Sequence, residues 1–312
     1  MKNFAIVLLT IIIMTNLFIY DVELPYVFLS KTGSDVIHDP SGRGFLYENS
    51  LISEISPIES GKELLIVDII NIGTGDAIFL RCGNETMLID GGSRGKEKTL
   101  ERYFQNNGIT DIHYFFNTHP HDDHIQAQEA LIRNGILPEE YLSMFHKEYG
   151  NEDHKNLVKQ VNKHNVPYLQ VKNGDFMMLG NAELTFFNDD RGIPNTPLNG
   201  RSMMLNVKFG NRSILFTADV TGENLAYLCQ KYPELANVDI LKSPHHGINR
   251  LRSEVYEYIS PKMVVITSNK KTGNNLATQL RSRRIPHYFI SMGTVRLVTD
   301  GNVWYVSQLI NE

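Results

Sequence analysis

The sequence THPHDDH at residues 118–124 directly follows the apolar run IHYFFN at residues 112–117. It places three imidazoles and two carboxylates where a buried strand ends, and these groups are ligands that suit zinc, manganese or iron. A solvated loop that caps a helix would explain one histidine, but three within six residues favour a metal site. Alternate side chains at a strand end point the same way, so His119 and His121 can reach one ion together. Asp123 and His124 fall on the next turn and can reach a second ion.

Two distant segments supply the further ligands that such a site needs. Asp219 ends the apolar run SILFTA, and a carboxylate there can bridge two metals with its two oxygens. The segment LKSPHHG at 241–247 offers His245 and His246, of which we favour His246 as the ligand. The other histidine, His245, would then donate a proton to the leaving group or bind a phosphate oxygen. Asp90, in MLIDGG, either orients a ligand histidine or only forms a turn. The predicted metal ligands are His119, His121, Asp123, His124, Asp219 and His246; the predicted catalytic residues are Asp123, Asp219 and His245.

These residues carry a resemblance to a known family. THPHDDH fits the H-x-H-x-D-H motif of the metallo-β-lactamase superfamily, and LIDGG, the strand-end aspartate and the histidine loop appear in the expected order. More narrowly, the chain resembles the hydrolase domain at the C-terminus of bacterial competence DNA-internalisation proteins. That likeness spans roughly residues 64–306 and rests on VDIINIGTGDAIFLR, NGRSMMLNVKFGNRSILFTAD, VDILKSPHHG and GTVRLVTDGNVW. It implies a four-layer αββα sandwich with a two-metal site at the edge between two sheets, holding two zinc ions or, alternatively, manganese.

The sequence departs from the family pattern at one place. The superfamily usually supplies a further histidine to the first metal, and the matching region here reads Asn199-Gly200-Arg201-Ser202. Water, Asn199 or Ser202 would then complete the first site. This departure motivates an alternative function, namely a membrane-anchored or exported binding protein that uses the fold without turnover.

The resemblance implies a metal-dependent hydrolase that uses a metal-bound hydroxide at a dinuclear site. The favoured substrate is an anionic phosphodiester, either nucleic acid or a phosphocholine-type ester. Thirty basic and 35 acidic residues leave a formal net charge of -5, so no global positive field draws the chain to nucleic acid. Arg281, Arg283 and Arg284 form a basic cluster that is better interpreted as a solvated helix end than as a steering surface.

Three segments differ in composition along the 312 residues. Residues 1–20 contain the apolar run Phe4–Tyr20, which we interpret as a signal peptide or a membrane anchor. The protein is therefore expected to be exported, at the outer face of the cytoplasmic membrane or outside the cell, with membrane association possible through residues 4–20. Residues 21–62 are predicted to be a linker with little regular structure, and residues 63–312 to be the hydrolase domain.

The hydrophobic pattern of residues 63–312 alternates between strands and helices in two halves, each of which begins with strands. This pattern predicts an α/β (α+β) fold, with two packed sheets and helices outside. Two cysteines cannot form a disulfide framework, and we interpret both as buried apolar residues. Helices are predicted around Leu100–Phe104 and at Ile125–Asn134, Asn151–Asn165, Glu223–Lys231, Glu254–Ile259 and Asn275–Arg283.

Overall fold

The computed structural model describes residues 45–47, 63–192, 196–269 and 274–309. Its strands are β1 (Phe45–Tyr47), β2 (Leu65–Ile69), β3 (Ile78–Cys82), β4 (Glu85–Ile89), β5 (Ile112–Asn117), β6 (Pro138–Ser143), β7 (Tyr168–Gln170), β8 (Phe176–Leu179), β9 (Ala182–Phe187), β10 (Met204–Phe209), β11 (Arg212–Phe216), β12 (Ile240–Lys242), β13 (Met263–Ile266), β14 (His287–Phe289), β15 (Thr294–Thr299) and β16 (Trp304–Leu309). Its α-helices are α1 (Glu97–Asn106), α2 (Asp122–Arg133), α3 (Glu152–Lys163), α4 (Gly222–Lys231), α5 (Ser253–Ile259) and α6 (Asn275–Ser282).

The strands form two sheets that pack face to face. One sheet has nine strands in the order β1-β16-β15-β2-β3-β4-β5-β6-β7, and the other has seven in the order β14-β13-β12-β11-β10-β9-β8. Apolar side chains from both sheets fill the space between them. Helices α1 to α3 pack on the outer face of the first sheet, and α4 to α6 on that of the second. The predicted αββα sandwich is confirmed.

Alternation along the strands divides the apolar side chains among these layers. In β4, Met87 and Ile89 enter the core between the sheets, while Leu88 faces the helices. In β11, Ile214 and Phe216 face inward and Leu215 faces outward. Because successive strand residues point to opposite faces, strands that are covered on both faces become continuous apolar runs. This requirement explains the uninterrupted apolar stretches at residues 87–89 and 214–216, shortly before Asp90 and Asp219.

The structure adds strands that the sequence pattern did not predict. Strand β1 lies parallel to β16 inside the segment 21–62, whose other residues lie outside the described residues. The hydrophobic pattern does not mark strands β6 and β8 either. Strand β6 begins with Pro138, Glu139 and Glu140, and β8 leaves Phe176 58% exposed at a sheet edge, so neither shows the expected alternation of apolar and polar residues.

The predicted apolar N-terminal segment, residues 4–20, lies outside the described residues. Within the part of the chain that is described, no helix has the length and apolar character needed to cross a bilayer.

Both cysteines are expected to be unreactive in the native protein. Cys82 and Cys229 are buried and free, and burial raises the pKa of each thiol to about 12; a hydrogen bond to Glu63 adds to the shift at Cys82. Since the thiolate is the nucleophile, a disulfide reagent such as DTNB should label neither thiol in native buffer and both in concentrated guanidinium chloride. Fast labelling of either thiol in the native protein would contradict this burial.

Candidate metal centre

The candidate site lies where parallel strands from both sheets end at one edge of the sandwich. In the first sheet β4 and β5 run parallel, and in the second sheet β11, β12 and β13 do. Asp90 follows β4, residues 118–124 follow β5 and include the first turn of α2, Asp219 closely follows β11, and His246 closely follows β12. Because the carboxyl ends of parallel strands lie together, four segments that are distant in sequence bring polar side chains to one point.

The first cluster consists of His119, His121 and Asp219, whose ligand atoms lie within 4.8 Å of one another. Nε2 of His119 is 3.0 Å from Nδ1 of His121 and 3.7 Å from Oδ2 of Asp219. His119 is fully buried, whereas His121 is partly exposed. The two histidines of the H-x-H pair thus lie side by side next to Asp219.

The second cluster consists of Asp76, His124, Asp219 and His246, all of which are buried. Oδ1 of Asp219 lies 3.4 Å from Nε2 of His124 and 3.5 Å from Nε2 of His246. Asp123 adjoins this cluster, with Oδ2 at 3.3 Å from Nε2 of His246 and Oδ1 at 3.8 Å from Nε2 of His124. Asp219 therefore presents one oxygen to each cluster, as a carboxylate that bridges two ions would.

A test of fit comes from buried polar atoms that lack a hydrogen bond. Among the described residues, Oδ1 of Asp76, Nε2 of His124, Oδ1 of Asp219 and Nε2 of His246 are buried without a hydrogen-bond partner. Leaving such atoms unpaired costs about 1–3 kcal/mol each. All four belong to the second cluster, and all are nitrogen or carboxylate oxygen, the donor set that zinc and related cations bind. The residues fit a metal ion.

Asp90 fixes the orientation of His124. Its carboxylate accepts hydrogen bonds from the Thr118 hydroxyl at 2.7 Å, from the Thr118 amide at 2.9 Å and from Nδ2 of Asn117 at 2.9 Å. It also lies 2.8 Å from Nδ1 of His124, which leaves Nε2 of that ring directed at Asp219. A carboxylate behind a histidine is the arrangement that orients metal-binding imidazoles. Of the two roles considered for Asp90, the geometry matches the orienting one.

Electrostatic interactions at the site oppose the effect of burial on several groups. Burial favours the neutral carboxyl of Asp219, but His124, His246 and His119 outweigh it and hold its pKa well below the usual value. Burial also disfavours protonated His124, yet Asp219 and Asp90 raise its pKa well above 6.5. At His119, burial together with the neighbouring His124 lowers the pKa well below 6.5. An ion that binds the second cluster must therefore displace protons, so metal affinity should rise with pH.

Lys242 lies inside the protein beside the second cluster. Its side chain is fully buried, its ammonium pairs with the carboxylate of Asp76, and it donates a hydrogen bond to the carbonyl of Ala218 at 3.0 Å. The other oxygen of Asp76 lies 3.4 Å from Nδ1 of His246. Lys242 is therefore neither solvated nor free to bind a phosphate, because its side chain joins three segments of the site.

The loops at the site adopt strained backbone conformations. Asp90, Ala218, His245 and His246 all have positive φ, between 45° and 54°, which is rare for residues other than glycine. Gly75 has φ 129°, and a Cβ there would lie 2.6 Å from the carbonyl oxygen of Asp123. Only glycine lets the loop that carries Asp76 approach the 118–124 loop so closely.

Residues 70–260 match the sequence profile described as the Metallo-beta-lactamase superfamily. The chain belongs to the metallo-β-lactamase superfamily. It is also 25% identical over 228 residues to ComE operon protein 3 of Bacillus subtilis (strain 168), an alignment that covers 65% of this chain and 28% of that protein. The chain thus matches less than a third of the length of this relative.

Solved structures also superimpose on this chain. CmlA, a diiron β-hydroxylase from Streptomyces venezuelae, superimposes with a TM-score of 0.51 at 13% identity, covering 80% of this chain and 54% of CmlA. The metallo-β-lactamase fold protein YhfI from Bacillus subtilis gives a TM-score of 0.46 at 12% identity, covering 72% of this chain and 95% of YhfI. At such identities the likeness concerns the fold alone.

Among the described residues, no third histidine joins the first cluster, although one is usual in metallo-β-lactamases. Ser202 does not replace it, because its hydroxyl donates to the carbonyl of Asn199 at 2.8 Å, within its own turn. Nδ2 of Asn199 lies 3.2 Å from Nε2 of His245. Nε2 of His245 in turn lies 3.8 Å from Oδ2 of Asp219. The His245 side chain is 29% exposed, whereas that of His246 is buried. His246 thus joins the second cluster. His245 lies beside the first cluster on the side where the site meets solvent, which we call the opening.

Sequence reasoning missed Asp76 as a member of the site. Asp76 lies in the stretch VDIINIGTGDAIFLR, directly after the close-packed Gly75, and this stretch carries part of the family resemblance. Nothing local distinguishes this aspartate from a loop residue. Its role depends on Lys242 and His246, which the fold brings to it from the other sheet.

Proposed function

We propose that this protein is a metal-dependent phosphodiesterase with a dinuclear site. The observation that carries the proposal is the convergence of unpaired buried ligand atoms from Asp76, His124, Asp219 and His246, with His119 and His121 alongside. His119, His121 and Asp219 would hold one cation, and His124, His246, Asp219 and a carboxylate of Asp76 or Asp123 the other. When bound, two such cations supply an activated water and neutralise charge on a phosphoryl oxygen. Zinc is the favoured metal, with manganese as the alternative.

The protein's own groups position the reaction. Asp219 sets the separation of the two sites. Asp90 orients His124 so that its Nε2 faces Asp219. His245 stands at the opening, and its Nδ1 lies 3.1 Å from Oδ1 of Asn249, which can orient the ring. In its protonated form, Nε2 of His245 would pass a proton to the leaving oxygen when the P–O bond breaks.

The preference for a phosphodiester rests on the likeness to the competence DNA-internalisation proteins. ComE operon protein 3 is the relative that supports it, although this chain matches only 28% of that protein. We further propose that the protein works outside the cytoplasmic membrane, as the Phe4–Tyr20 run favours. N-terminal sequencing of the protein from an exported fraction checks this point, since recovery only from the cytoplasm would refute it.

Purified protein loaded with zinc or manganese is expected to hydrolyse bis-p-nitrophenyl phosphate. His121→Ala should abolish turnover and lower the bound metal, because His121 is one of three groups in the first cluster. His164→Ala is a matched control, since His164 stands at the end of α3, outside both clusters. Metal content is measured by elemental analysis and turnover by released nitrophenolate.

Two results would count against the phosphodiesterase. Tight metal binding without turnover on this substrate, an oligonucleotide or p-nitrophenyl phosphocholine would favour the non-catalytic binding protein. That alternative draws support from the missing third histidine of the first cluster. Failure to retain metal at all would remove both the dinuclear site and the chemistry proposed for it.

A further inference from the structure

Arg201 is an unusual cation at the rim of the metal centre. Its guanidinium carbon lies 5.5 Å from the ring centroid of Phe145 and 5.6 Å from that of Tyr149. The side chain is half-buried, and among the described residues it has no acidic partner within ion-pair distance. Phe145 is buried, and its ring centroid lies 4.4 Å from that of Tyr149, so the two packed rings support the guanidinium of Arg201. Arg201 is therefore held in place by aromatic rings rather than by a carboxylate.

The backbone places this arginine next to the candidate metal ligands. The short turn Asn199–Arg201 begins at Asn199, whose Nδ2 lies 3.2 Å from Nε2 of His245. Two residues after Arg201, the backbone amide of Met203 donates a hydrogen bond to the carbonyl of Thr118 at 3.0 Å. Thr118 directly precedes His119. The support of Arg201 lies at the same edge, because β5 and β6 are parallel with Asn117 opposite Ser143, and Phe145 follows Ser143 by two residues.

A guanidinium in this position is suited to an anion from outside the protein. Its five N–H donors form a planar fork that matches two oxygens of a phosphate, and stacking on rings leaves the edge of the fork available. Tyr149 is only partly buried, so part of its ring can meet a flat group such as a nucleobase. A substrate with one phosphate at the metal centre would leave the arginine unused.

We propose that Arg201, supported by Phe145 and Tyr149, binds a second phosphate of a nucleic-acid strand next to the phosphodiester that is cleaved. This inference rests on the proposed phosphodiesterase function and names its substrate class. Arg201 thereby selects a strand with repeated phosphates over esters with a single phosphate, and Tyr149 contributes by stacking a base. A choline-bearing polymer has phosphates but no bases, so it would gain nothing from Tyr149.

The test compares Arg201→Met and Tyr149→Leu with the wild type on two substrates, a single-stranded deoxyoligonucleotide and bis-p-nitrophenyl phosphate. Arg201→Met should raise KM for the oligonucleotide about tenfold or more, the effect of losing one charged hydrogen-bonded contact. Tyr149→Leu should raise it about tenfold through lost stacking. Neither variant should change kcat/KM for bis-p-nitrophenyl phosphate, which carries one phosphate. Arg283→Met is the control, since Arg283 also lies over an aromatic ring, 4.1 Å from the centroid of Tyr256, at the far end of α6.

A binding measurement separates recognition from catalysis. In EDTA, fluorescence anisotropy of a labelled oligonucleotide gives the affinity as a function of salt. The logarithm of the binding constant falls linearly with the logarithm of the salt concentration. Loss of one phosphate contact should make this slope less steep by about 0.7 in Arg201→Met, and not in Arg283→Met.

The outcomes distinguish this inference from the proposed function. Absence of turnover on every substrate overturns the phosphodiesterase itself. Turnover of bis-p-nitrophenyl phosphate with no oligonucleotide cleavage overturns only the inference, and so does equal oligonucleotide KM in the wild type and Arg201→Met. A higher KM of Arg201→Met for a choline-bearing polymer, with an unchanged KM for the oligonucleotide, would also overturn the inference.

Discussion

Replacing Asp219 with asparagine is expected to remove metal binding and hydrolysis together. Among the described residues, Asp219 is the one side chain shared by both clusters, with Oδ2 facing His119 and Oδ1 facing His124 and His246. Asparagine keeps the size of the side chain, but it lacks the negative charge and offers one oxygen instead of two. Loss of an outer partner of a metal ligand already costs up to about 100-fold, so loss of a shared ligand should cost more than that in kcat.

The measurements for Asp219→Asn are metal content and turnover of bis-p-nitrophenyl phosphate. Asp190→Asn serves as the control, because Asp190 pairs with Lys231 on the surface, where it should affect neither quantity. Near-UV circular dichroism verifies that the variant keeps its tertiary packing. If Asp219→Asn retains full metal content and turnover, Asp219 does not bridge the two clusters and the dinuclear arrangement is wrong.

Lys242→Met is expected to lower the free energy of unfolding by about 3–5 kcal/mol in metal-free buffer, the usual cost of breaking a buried ion pair. Methionine fills a similar volume, but it leaves the carboxylate of Asp76 buried without its cation and the carbonyl of Ala218 without its donor. Denaturant unfolding in EDTA measures the change. For a domain of this size the thermal midpoint should fall by about 10 °C.

Two further variants test whether the charge pair is the cause. Adding Asp76→Asn to Lys242→Met removes the unpaired charge, so the double variant should be more stable than Lys242→Met alone. Lys262→Met is the matched control, since Lys262 pairs with Asp239 but is 30% exposed, and its loss should cost about 1 kcal/mol or less. If Lys242→Met and Lys262→Met lower the free energy of unfolding by the same small amount, the buried pair does not stabilise the fold.

Much of the architecture was predictable because its signals are local. The apolar runs before Asp90, His119 and Asp219 mark strands covered on both faces, and the polar residues after them mark strand ends. Strand β8 escaped prediction because it lies at the edge of its sheet and is covered on one side only. In β8, Phe176 and Met178 face solvent, so their apolar character carries no information about which face is buried.

The sequence by itself determined the superfamily, the two-sheet architecture and the candidate ligands in the H-x-H-x-D-H loop, because each follows from residues that are close together in the chain. Tertiary structure decided how those ligands are shared. It placed Asp219 between two clusters, directed His246 inward and His245 toward the opening, and brought Asp76 to Lys242. The physical reason is that a charge can be buried only beside a partner, and here the partners come from strands of opposite sheets whose contact no local pattern encodes.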